Sequence, residues 1–149
     1  MKNQDFNALL NKELNEAYQT IMDLVLKFAP YKEPFMGSYS RLFYAGTALW
    51  YLLNDTPEDQ RCKKTWLLTS DLDNTLAHLQ VDSWTANRQR HAAEDEAGKC
   101  IGVSAEEEIL DAVAYKISGM SGRIKTYAAA KWGAEWHEWD DDWSDDDDD

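Results

Sequence analysis

Glycine and proline are scarce in this chain, seven and three among 149 residues, and neither occurs between Pro57 and Gly98. Turn residues are too few for the regularly spaced short strands of a sandwich or barrel. Cysteine is scarcer still. Cys62 and Cys100 can form one pair at most, which is no disulfide framework for a chain of this length. No run approaches the ~18 apolar residues that cross a bilayer. The opening MKNQDFNALL carries neither an apolar h-region nor a small-residue cleavage site. A cytoplasmic protein without a membrane partner is therefore expected. Basic residues are also few, 15 Lys and Arg against 28 Asp and Glu. That balance argues against direct nucleic-acid binding through phosphate contacts.

What is present is helical periodicity over a length that suits one core. Phe6, Leu10, Leu14, Ala17, Ile21, Val25 and Phe28 recur at steps of three or four, which predicts a helix over about 5–29. Pro30 and Pro34 end it. Leu42, Gly46, Leu49 and Leu53 mark a second helix, and the aromatic set Phe35, Tyr39, Phe43, Tyr44, Trp50 and Tyr51 reads as core. Thr56-Pro57-Glu58-Asp59 is a helix start, with Thr56 as cap and Pro57 in the first position. The stripe Trp66, Leu72, Leu76, Leu79 thins out near 81–84, where a kink or break is expected. Ser104-Ala105-Glu106-Glu107 has capping-box spacing and opens a last long helix through Ile109, Val113, Ile117, Met120, Ile124 and Ala128. The expected fold is an all-α, up-and-down bundle of four to five helices.

The acid excess is concentrated at one end. Ten of the 28 acids lie in 135–149, where there is no Lys or Arg, leaving 18 acids against all 15 bases before it. The chain divides on this basis into a helical bundle, 1–134, and an acidic C-terminal tail, 135–149. Trp132, Trp136, Trp139 and Trp143 are spaced four, three and four apart, which puts four indoles on one helix face. Glu135, Glu138, Asp140, Asp141 and Asp142 surround them. One reading docks this face onto the bundle and leaves the aspartates as a solubilising tail. The other makes these nine residues a partner-binding helix, with indoles as anchors and carboxylates imitating nucleic-acid charge. The partner is then a nucleic-acid-handling protein with a basic surface, inhibited by occupation of that surface, as phage or mobile-element anti-defence proteins act. A third possibility is a structural or assembly protein, an oligomer kept soluble by its tail.

A second cluster lies around the turn at 98–103. If the flanking helices pack antiparallel about its midpoint, His91 and Glu94 face Asp111 and Glu108. Carboxylates with one imidazole suit Mg or Mn. The segments EDEAGKCIG and EEEILDAVAYKI resemble the helix pair of MazG-like nucleotide pyrophosphohydrolases. The resemblance covers residues 94–117 and implies an ExxE and an ExxD that hold magnesium for cleavage of nucleoside triphosphates. Glu108 and Asp111 match the second element. Glu96 matches the start of the first, but Lys99 stands where its second acid belongs, and the stretch between the two is shorter than the family's. The alternative is that Glu106, Glu107 and Glu108 simply face the positive end of their helix, with Glu94, Asp95 and Glu96 on a solvated face.

Overall fold

The computed structural model describes residues 5–138. Four long helices form its body: α1 (Phe6–Phe28), α2 (Met36–Asn54), α3 (Arg61–Ala97) and α4 (Ala105–Trp132). Each packs against its chain neighbour, and α1 closes the ring against α4, so the bundle is up-and-down as expected. No strand occurs among the described residues, and no helix is long and apolar enough to cross a membrane. The predicted stripes supply the core. Leu10 and Ile21 of α1, Leu42 and Leu49 of α2, Leu68 and Leu72 of α3, and Leu110 and Ile117 of α4 all lie at 1% exposure or less.

The helix starts follow local chemistry. The Asp5 carboxylate accepts from the Ala8 amide at 3.1 Å, capping α1. At α4 the Ser104 hydroxyl accepts from the Glu107 amide at 3.1 Å, and Glu107 accepts in return from the Ser104 amide at 3.2 Å. The capping box read from the sequence is thus formed.

Four expectations change. Pro57 stays extended and precedes a single 3-10 turn, Glu58–Gln60, so α3 starts only at Arg61. Thr56 caps nothing there; its hydroxyl donates back to the Tyr51 carbonyl at 2.8 Å. The break near 81–84 does not occur, and α3 runs unbroken for 37 residues. Small and polar residues replace the apolar stripe at this point. Asp82 accepts from Ser38 of α2 at 2.5 Å, Ser83 donates to Asp111 of α4 at 2.6 Å, and Ala86 is buried. A helix without Gly or Pro needs only this one-sided support to continue. Cys62 and Cys100 lie near opposite ends of α3 and are not joined in a disulfide.

The fourth change concerns α2. Phe35 is buried and Tyr39 packs edge-on against Phe28, with ring centres 5.8 Å apart. Phe43, Tyr44, Trp50 and Tyr51, read as core, are instead 44–69% exposed. The core side of α2 is already filled by Leu42, Ala45, Leu49 and Leu52, leaving these aromatics on the outward arc of the same wheel.

Candidate functional site

The carboxylates around the α3–α4 turn come together differently from the midpoint register. Gly98, in a left-handed conformation, ends α3, and the amides of Gly98 and Lys99 both return to the Glu94 carbonyl. Residues 98–104 then run back along the last turns of α3 before α4 begins. This slides α4 by about two turns, so Glu107 sits across from Asn87 and Arg90, and Asp111 across from Ser83. His91 and Glu94 do not meet Asp111 and Glu108.

The carboxylates that do converge are satisfied by protein groups. Glu94 Oε2 accepts from the Ile101 amide at 2.8 Å, the Gly102 amide at 3.2 Å and Arg90 Nη1 at 3.1 Å. These bonds, the two backbone amides first, pull its carboxyl down to a pKa of about 2. His91 Nδ1 lies 3.3 Å from its other oxygen. Glu107 takes Arg90 Nε at 2.7 Å and Asn87 at 3.3 Å, and the Arg90 bond holds its carboxyl below the usual range. The guanidinium in turn is pushed up, chiefly by its hydrogen bond to Glu107. Glu96 and Glu108 are exposed. Among the described residues no three His, Cys, Asp or Glu side chains gather where they could hold a metal ion. The ligand quartet implied by the MazG-like resemblance is therefore not assembled, and a step through magnesium or manganese has no donor set here. Arg90 and Glu107 are the residues that organise this tip. Their legible signals were the Arg90–Glu94 spacing and the third position of the capping box.

At the opposite end the tail is rooted in the body. Gly133, at φ +57°, interrupts the helix after Trp132, and residues 134–138 resume helical conformation. The reversal lets Trp136 turn inward. It is 4% exposed and stacks on half-buried Trp132, ring centres 6.1 Å apart and planes 9° from parallel. Lys131 lies over the Trp132 ring and donates to Asn7 of α1 at 2.5 Å. Trp136 belongs to the core cluster, so the bundle reaches past residue 134 and the expected boundary cuts through its packing. Glu135 and Glu138 are exposed. Trp139, Asp140, Asp141, Asp142 and Trp143 lie outside the described residues. Beside Trp136 a groove of about 390 Å³ opens between α3 and α4, lined by Trp66, Asp73, Lys125 and His137 among others. Within its lining Asp73 and Lys125 pair with each other at 2.6 Å.

The outward arc of α2 is the third surface, and sequence reasoning placed it in the core. Of the 19 residues in α2 only Arg41 is charged, in a chain that is 29% charged overall. Aromatics, methionine and arginine without Lys, Asp or Glu is the composition of an interface centre. The missing signal was that absence of charge, which reads equally as core.

Comparison with known proteins returns no family model, no curated relative and no solved structure that matches this chain.

Proposed function

We propose that the protein is a binding protein whose acidic C-terminal segment occupies the basic surface of a nucleic-acid-handling protein and inhibits it. One observation carries this reading: ten acids and no Lys or Arg within the last fifteen residues, against a near-balanced remainder. The packing of Trp132 and Trp136 supports it by holding the chain to the body just before that charge begins to accumulate. Concentrated carboxylate at a fixed root draws basic partners and competes with phosphate for the same groove. Trp139 and Trp143 would serve as the anchors, since Trp136 is held inside the body.

The test compares the full chain with a version ending at Glu138, which keeps Trp136 in place. Each is immobilised and challenged with cell lysate, and the retained protein is identified and assayed for nucleic-acid binding. The expected outcome is retention of a nucleic-acid-handling protein by the full chain alone, released by duplex DNA or on raising salt from ~0.1 to ~0.5 M. Equal retention by the shortened chain, or binding indifferent to salt and DNA, sinks the proposal.

A further inference from the structure

Along the outward arc of α2, Met36, Phe43 and Trp50 stand seven apart, and Ser40, Thr47 and Asn54 stand seven apart between them. The resulting seam reads large, small, large, small, large, small at spacings of four, three, four, three and four. Reversal leaves the spacings unchanged and exchanges large for small. Laid antiparallel on itself about residue 45, it sets Met36 against Asn54, Ser40 against Trp50 and Phe43 against Thr47. Every large side chain then meets a small one, which is what two facing helices need to interdigitate.

Two of the small polar members already engage their own helix. The Thr47 hydroxyl donates to the Phe43 carbonyl at 3.2 Å, and the Asn54 amide donates to the Trp50 carbonyl at 2.9 Å. Covering Thr47 therefore strands no donor, while the second amide hydrogen of Asn54 has to find a partner across the seam. Tyr44 and Tyr51 flank the seam on one side, and Met22 and Leu26 of α1 flank it on the other, at 36% and 72% exposure. Close approach of α1 is set by Gly46, where a β-carbon would meet the Ile21 side chain at 3.0 Å and Met22 Sδ at 3.7 Å.

We infer that this face is the contact between two copies of the chain, an antiparallel α2–α2 dimer with a two-fold axis near residue 45. Self-complementarity is the property a two-fold interface requires. Charge points the same way. Two copies at −13 each repel, and a face with a single charged residue lets them meet without opposing carboxylates. Area is adequate too. The four aromatics alone expose on the order of 400 Å², which with the flanking methionines and leucine is well over half of the ~800 Å² that each partner buries in a stable interface. This inference does not depend on the function proposed for the tail.

Sedimentation equilibrium of the full chain tests it, with circular dichroism melting as the control for folding. A dimer is expected, and its dissociation constant should fall as salt rises, the opposite of the salt response expected of the tail. Phe43→Glu puts an acid into the seam of each copy and should weaken association by at least about a hundredfold while melting as the parent does. Thr47→Phe sets large against large and should also weaken it. Phe43→Thr combined with Thr47→Phe again sets a large residue against a small one at this pair and should recover association to within about tenfold of the parent. A monomer at all accessible concentrations overturns the inference, as does a dimer indifferent to Phe43→Glu. If the double variant is no better than Thr47→Phe alone, the antiparallel register is wrong. A monomeric chain that holds a different protein on α2 overturns it as well.

Discussion

Trp136 and Trp50 are carried by the same bundle, yet one keeps 4% of its surface in solvent and the other 44%. Their immediate neighbours account for the difference. Trp136 follows a glycine at positive φ that turns the chain back onto Trp132 and α3. Trp50 stands on an uninterrupted helix whose inner arc is already full, and its nearest aromatic, Tyr51, is itself exposed. An indole placed in the body stabilises this chain by itself; an indole on the α2 arc has its apolar area left over for something else. The same contrast separates α2 from the far end of α3. There Glu94 and Glu107 are answered, the first by the Ile101 and Gly102 amides and both by the Arg90 guanidinium. Exposed apolar area without charge is what distinguishes the α2 arc from this tip.

The comparison breaks most visibly by truncation. Trp136→Ala should cost about 3–5 kcal/mol of unfolding free energy in urea, whereas Trp50→Ala should leave the stability of the isolated chain within about 1 kcal/mol. If the two variants lose stability equally, the distinction between them is wrong. Acid sharpens the contrast with the tip. Because Glu94 has its carboxyl depressed to about 2 in the folded chain, its contribution is fully present above its ordinary value near 4.5 and is lost as the pH falls through 2. Hydrogen exchange should therefore show the Ile101 and Gly102 amides protected at neutral pH, and Glu94→Ala should speed their exchange by about an order of magnitude. Unchanged exchange would remove the carboxylate from its capping role. The smallest effect is expected at Thr65, a buried hydroxyl with no hydrogen-bond partner among the described residues. Thr65→Val removes a stranded polar group at nearly constant shape and should shift stability by less than about 1 kcal/mol, neutral or upward. A marked loss would reveal a partner for that hydroxyl.

The helices, their order and the α4 cap were legible in the sequence, because apolar periodicity and capping chemistry act within a few residues of each other. Three features were not. Continuity of α3 through 81–84 depends on Ser38 and Asp111, which lie on other helices. The register of α3 against α4 depends on how residues 98–104 fold back, and a count of residues between helices does not report the direction of a loop. The exposure of Phe43 and Trp50 depends on which arc of α2 is filled first, and a helix apolar on both arcs does not announce which one faces in. The carboxylate site failed for the second of these reasons. A displacement of two turns moved His91 and Glu94 away from Glu108 and Asp111.

The unbroken α3 also has an electrical consequence. At 37 residues it is roughly 55 Å long, and its two ends mark the two ends of the protein. Glu138, the last described residue before the aspartate run, lies a few residues from Trp136, which packs at the Arg61 end; the Arg90, Glu94 and Glu107 network lies at the other. Fields from exposed charge fade over about 8 Å at physiological ionic strength. A change of charge at the Trp136 end therefore leaves the ionisation of the Arg90, Glu94 and Glu107 network as it was.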